Sequence, residues 1–254
     1  KMIKDNNLII GSGVLGAYLA KVLIKKKKNV IVTSRTRTFS NYRKLKIFKN
    51  IKVEKLDINK KNNIKKILKK YLPENIFYFA GQSFLPKSYE LRKETINSHY
   101  VGTKNFIEVL KKTKMKPNFF KANSGYIFKP INGRISISNK FSKNQNPYVV
   151  AQQKTFKLLK KSRRKGFKTF NLVFLSVESF LRKKEFFVKK VCINAKNRKK
   201  ILVGNLDTYR DYSFAEEIAE AVYLVSKIKP LDIILSTGKG ISGKDILKIA
   251  YNLN

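Results

Sequence analysis

A chain of 254 residues, 43% hydrophobic, is long enough to bury a full core as one α/β domain with a small lobe. Its formal charge of +41 attracts polyanions, yet the lysines are spread through every predicted helix and loop. No basic tail, zinc-finger spacing or recognition-helix pattern stands out, so nucleic acid is expected only as a non-specific partner. The single Cys192 excludes an intramolecular disulfide framework, and the lone His99 leaves no usual zinc constellation, so no metal is expected.

In sequence order, Leu8–Ile10 form a short apolar strand that runs into Gly11-Ser12-Gly13-Val14-Leu15-Gly16 and then a helical run from Ala17 to Ile24. Strand, glycine-rich turn and helix are the parts of a dinucleotide-binding unit. Gly11 makes the tight turn, Gly13 lets backbone approach a pyrophosphate, and Gly16 brings helix and strand together. The helix N-terminus offers free N–H groups to the phosphates. A signal peptide or membrane span is the competing reading, because Lys25–Lys28 follow the apolar run. Lys21 and the glycines interrupt that run, and a span needs about 20 apolar residues. The protein is therefore read as soluble and cytoplasmic, with no membrane partner.

Further strands are predicted at Val30–Thr33, Ile51–Leu56, Asn75–Phe79, Asn118–Ala122, Thr169–Phe174 and Ile233–Ser236. Helices are predicted at Ile64–Tyr71, Glu94–Lys112, Tyr148–Lys165 and Ala215–Ile228. The alternation implies a Rossmann-like, doubly wound parallel sheet. Residues 1–176 are expected to be the dinucleotide-binding domain. Residues 177–254 are expected to form mostly a small substrate-binding lobe, with elements returning to the sheet. The start at Lys1 rather than Met, and the end at Asn254 just after a helical pattern, lead us to expect a truncated lobe.

Ligands bind beyond the carboxyl ends of such strands. After the second strand, Arg35 and Arg37 stand where an acidic residue would bind the ribose of NAD. Arginines suit the extra phosphate of NADP, unless this is one more exposed basic loop. After the third strand, Asp57 and Ile58 are placed to hold adenine, or Asp57 caps the following helix. After the fourth, Ala80 and Gln82 flank the path of the cofactor ribose.

Ala80-Gly81-Gln82-Ser83, Val101-Gly102-Thr103-Lys104-Asn105, Pro147-Tyr148, Asn171 through Glu178-Ser179, and Gly204-Asn205-Leu206-Asp207 with Arg210-Asp211 occur in one order. In this the protein resembles the extended short-chain dehydrogenases/reductases of the NAD-dependent epimerase/dehydratase family, and most of all the GDP-mannose 4,6-dehydratases. The resemblance implies a hydride shuttle on a nucleotide sugar through a 4-keto intermediate. A tyrosine takes the proton of the 4-hydroxyl and a threonine or serine hydrogen-bonds it. A lysine lowers the tyrosine pKa, and a glutamate removes the C5 proton before water leaves C6.

Carried over, the tyrosine is Tyr148 and the threonine or serine is Ser124. Two positions depart: the lysine is Gln152 and the glutamate is Tyr126. Lys154 is no substitute, since it is turned about 240° around the helix from Tyr148. The family's first glycine is also displaced, with Ile10 in its place. Glu178, Lys189, Asn205 and Arg210 match positions near the sugar or diphosphate, although Lys189 has an equal claim to be ordinary surface lysine. Arg210 is adjacent to Asp211 and is the stronger phosphate candidate. Glu185-Phe186-Phe187 are expected in the core.

Three readings follow. The first is an NADP-dependent GDP-mannose 4,6-dehydratase-like lyase, or a related epimerase or reductase, with reduced activity. The second is a non-catalytic relative that binds the nucleotide sugar or dinucleotide, in a homo-oligomer or alone. The third is a nucleic-acid-associated protein on a Rossmann scaffold.

Overall fold

The computed structural model describes residues 5–252; Lys1 and Asn254, the ends noted above, lie outside the described residues. The strands are β1 (Asn6–Ile10), β2 (Asn29–Ser34), β3 (Lys52–Lys55), β4 (Asn75–Tyr78), β5 (Asn118–Ser124) and β6 (Thr169–Phe174). Then come β7 (Ser176–Glu178), β8 (Tyr209–Arg210), β9 (Tyr212–Phe214), β10 (Asp232–Leu235) and β11 (Ile241–Ser242). The helices are α1 (Val14–Lys25), α2 (Ser40–Lys44), α3 (Lys61–Tyr71), α4 (Arg92–Ile96), α5 (Gly102–Thr113), α6 (Pro147–Arg164), α7 (Phe187–Lys196), α8 (Ala215–Val225) and α9 (Gly243–Tyr251).

Seven strands form one parallel sheet in the order β10-β6-β5-β4-β1-β2-β3. Both faces are covered, which is why strands such as β6 are buried at every position. Side chains alternate between two cores. On one face, Ile9, Val32, Phe77, Phe120 and Phe170 pack with α1 and α8. On the other, Leu8, Ile10, Ile31, Ile76, Tyr78 and Phe119 pack with α3, α5 and α6. Phe77, Phe120 and Phe170 are in register on adjacent strands and stack at 4.7 and 4.2 Å. The next residue of β5, Lys121, turns to the opposite core and is 1% exposed. Its ammonium donates to the Ala122 carbonyl at 2.5 Å and sits 5.2 Å from the Tyr78 ring. Burial pushes its pKa down to about 7.

Each strand and helix read from the pattern is present, with ends shifted by a few residues. The predicted helix over Glu94–Lys112 is interrupted. Between α4 and α5, Asn97–Val101 widen into a π-turn. There the His99 carbonyl accepts from Thr103 Oγ1 at 2.7 Å and Thr155 Oγ1 at 3.1 Å, and hydroxyls that compete for a helix carbonyl loosen the helix. Asp57 does not cap α3. Its carboxylate accepts the N–H of Asn59 at 3.0 Å, while α3 begins after Lys60, whose side chain makes no capping bond. Two short pairings, parallel β7–β9 and antiparallel β8–β11, have no counterpart among the predicted strands. Strands of two or three residues are too short to show a period. The segment that follows β6 also returns to the sheet: β10 pairs with β6, and α8 lies on α1.

Candidate active site

The strand order reverses between β1 and β4, the usual place for a ligand in an open α/β sheet. Gly11 leaves β1 with φ 106°, and a Cβ there would come within 2.8 Å of the Ala80 nitrogen. A side chain is excluded by both conformation and space. Gly13 caps α1 with no side-chain bond, no acidic group stands in the first turn, and its Cβ position is open. At Gly16 a Cβ would lie 2.9 Å from the Gly11 carbonyl, so this glycine lets α1 seat on the turn. The product is an open cradle of N–H groups at a positive helix end, which fits a pyrophosphate.

Around the cradle, Gln82 Nε2 donates to the Phe84 carbonyl at 2.6 Å, and His99 Nε2 donates to the Gln82 carbonyl at 2.8 Å. The Ile58 carbonyl accepts from Asn105 at 3.0 Å. Arg35 is exposed and pairs with Glu94 at 3.3 Å. Arg37, at φ 55°, turns toward Glu54, a carboxylate held low mainly by Lys70 and Tyr71 and further by Arg37.

Tyr148 occupies the first turn of α6. That turn is anchored by Asn146, which accepts the Tyr148 N–H at 2.9 Å and the Ser88 hydroxyl at 2.8 Å. Ser124 ends β5 and is buried. Burial raises the Tyr148 pKa; the side chains of Gln152 and Ser124, and the charge of Arg182, pull it back. The structure thus brings Tyr148, Ser124 and Gln152 together. Gln152 Oε1 is buried with no hydrogen-bond partner among the described residues. The His99 ring meets the Tyr148 ring edge-on at 5.1 Å. Burial, helped by Lys121, lowers the His99 pKa to about 3, so this imidazole is neutral. Lys154 points away, 6.0 Å from the Tyr100 ring.

Tyr126 projects into solvent, where the Arg210 guanidinium donates to its hydroxyl and lies over its ring. Asp211, the sequence neighbour of Arg210, instead accepts the N–H groups of Thr237 and Gly238 at 3.0 and 2.7 Å. Glu178 and Lys189 line one groove of about 420 Å³ with Phe180, Tyr212 and Phe214. Burial raises the Glu178 pKa against the pull of Arg182. Lys189 donates to the Phe180 carbonyl at 2.8 Å. Asn205 is exposed and accepts the Asp207 N–H at 2.8 Å, with no bond to the other candidates.

Two residues near the phenol escape the sequence reading, His99 and Arg182. The signal for Arg182 is the spacing of Glu178, Arg182 and Phe186. The guanidinium lies 3.8 Å from Glu178 and 3.5 Å from the Phe186 ring centroid. Phe186 and Phe187 are accordingly half-buried, and Glu185 is exposed. The expected core position of this stretch is wrong because Phe186 is used to hold a cation and to meet Phe84 at 5.3 Å. Among the described residues no cluster of His, Cys, Asp and Glu could hold a metal, and no helix is long and apolar enough to cross a membrane.

The sheet order and glycine cradle define the class: an extended short-chain dehydrogenase/reductase of the epimerase/dehydratase type. UDP-glucose 4-epimerase of Thermus thermophilus, solved with NAD, superposes with a TM-score of 0.86 at 17% identity, over 97% of this protein and 82% of that one. The family model for GDP-mannose 4,6 dehydratase matches residues 8–253, and the protein belongs to that family. It is 24% identical to the GDP-mannose 4,6 dehydratase of Drosophila melanogaster over 96% of its own length and 67% of that protein. It is 23% identical to GDP-mannose 4,6 dehydratase 2 of Caenorhabditis elegans over 99% and 72%.

Proposed function

We propose that this protein is an NADP-using, GDP-mannose 4,6-dehydratase-like enzyme in which two catalytic positions have changed. The observation that carries this reading is Tyr148 seated beside Ser124 at the carboxyl end of the sheet, next to the glycine cradle. Gly11, Gly13 and Gly16 would hold the dinucleotide, with Ala80, Gln82, Asp57 and Ile58 along its length. The bound nicotinamide supplies a hydride acceptor. Tyr148 takes the proton of the sugar 4-hydroxyl and Ser124 orients that oxygen. The C–H pair leaves with the oxidation, and the 4-ketone makes the C5 proton acidic. At that step Tyr126 offers no carboxylate. A neutral Gln152 stabilises a phenolate less than an ammonium would. A second reading, binding of a nucleotide sugar without turnover, is favoured by the same two replacements.

The test of substrate class is calorimetric titration with GDP-mannose. Arg210 is exposed and its planar guanidinium matches two phosphate oxygens. Arg210→Ala should weaken binding by about 1.5–3 kcal/mol, the loss of a charge-assisted bond. No binding by the parent protein would remove the substrate assignment. An unchanged dissociation constant in the folded variant would place Arg210 outside the site.

Cofactor choice has its own test. Arg35 reaches Glu94 through an exposed pair of little stability, which a 2′-phosphate can displace. NADP should bind more tightly than NAD, and Arg35→Asp should abolish that preference. Equal affinities in the parent protein would end the assignment.

A further inference from the structure

We propose that Arg182, on the loop after β7, supplies the positive charge that favours the Tyr148 phenolate, in place of the lysine that Gln152 replaces. The idea rests on the hydride-transfer reading for its purpose, but its physical content concerns the protein alone. Arg182 is held without being used up. Its ion pair to Glu178 is long at 3.8 Å, and its Nε is buried with no hydrogen-bond partner among the described residues. Its face is fixed by the Phe186 ring at 3.5 Å. Phe186 in turn packs on Phe84, whose carbonyl binds Gln82, and the Gln82 carbonyl binds His99. The His99 ring is 5.1 Å from the ring of Tyr148. This closed circuit of contacts sets the guanidinium at the mouth of the pocket that holds the phenol.

The groups facing Tyr148 leave Arg182 as the cation acting on it. From α6 comes Gln152, which is neutral, and from β5 comes Ser124. From the π-turn comes His99, also neutral. Lys121 of β5 acts on His99, beneath the ring, with its ammonium given to the Ala122 carbonyl. Glu178 and Glu185 lie on the Arg182 side and keep the guanidinium charged. The charge of Arg182 lowers the Tyr148 pKa against burial, as this placement requires. An arginine stays protonated at every working pH, so its effect does not switch off as a lysine's does. It acts through Tyr148 and is a positioning residue for that charge.

The test is direct titration of Tyr148 by NMR of isotope-labelled tyrosine in the intact protein, with the resonance assigned by its loss in Tyr148→Phe. Neither cofactor nor sugar is required, so a failed dehydratase assignment leaves the result readable. Arg182→Gln should raise the midpoint, leaving roughly tenfold less phenolate at a fixed pH below it, as for removal of one nearby charge. Arg182→Lys should retain most of the parent midpoint. Phe186→Leu, which keeps the cation but frees it, should move the midpoint upward by less; it also decides the matter if Arg182→Gln fails to fold. An unmoved midpoint in either folded variant overturns the proposal. So does an unmoved midpoint with weakened GDP-mannose binding, which would make Arg182 a phosphate ligand instead.

Discussion

Gln152→Lys should raise hydride transfer from GDP-mannose to NADP by about 100-fold or more, within the usual contribution of a well-placed acid–base group. Gln152 is one helical turn beyond Tyr148 on α6, buried, with its side-chain oxygen unpartnered among the described residues. An ammonium there would face the phenol and find an acceptor waiting in it. The single variant should stall, however. With Tyr126 still in place no carboxylate takes the C5 proton, so reduced nicotinamide should accumulate to about one equivalent and stay. Adding Tyr126→Glu should release the hydride onto C6 and free the 4-keto-6-deoxy sugar. The new carboxylate would inherit the guanidinium of Arg210, which now donates to the Tyr126 hydroxyl. That pairing would fix its direction. Single-turnover absorbance of the reduced cofactor, together with mass spectrometry of the sugar product, separates the two steps. The double variant should exceed either single one by more than their product, as groups acting as a unit do. Dehydration by the parent protein at on the order of 1 s⁻¹ or more would refute the altered-site reading.

Lys121→Met should make the protein more stable by about 4 kcal/mol at pH 7, and the gain should shrink to under ~1 kcal/mol at pH 10. Lys121 is buried between the sheet and its helices, with Tyr78 and His99 as neighbours and no acidic partner among the described residues. Folding lowers its pKa from 10.5 to about 7. Between those values the unfolded protein holds a proton that the folded one does not. Stability due to this group therefore rises with pH across that window, and the cost is full below pH 7. Methionine keeps the length and the apolar stem and removes the charge. Chemical denaturation of both proteins from pH 6 to pH 10 checks the claim. The difference between the two curves cancels the general relief of positive charge at high pH. A gap that does not change with pH, or a methionine variant no more stable at pH 7, would show that the ammonium is better satisfied than its surroundings indicate.

The sequence by itself determined the parallel sheet and its cradle. Strands such as Thr169–Phe174, buried on both faces, must be apolar along most of their length, and Gly11 must be glycine where β1 turns under Ala80. Such local constraints leave marks within a few residues, and they were legible. The positions of Tyr148, Ser124 and Gln152 were legible as well, because all three lie on regular elements whose spacing is set by helix and strand geometry. Tertiary structure alone decided the electrostatics. Nothing in the sequence around Lys121 marks it as buried, in a protein where lysine is everywhere. Nothing near Tyr148 in sequence points to Arg182, which reaches the phenol from beyond β7 by way of Phe186 and Phe84. The pairing of Tyr126 with Arg210 likewise joins segments far apart in the sequence. A pKa depends on every charge and dipole within several ångströms, whatever its sequence separation, and only the folded backbone sets which those are.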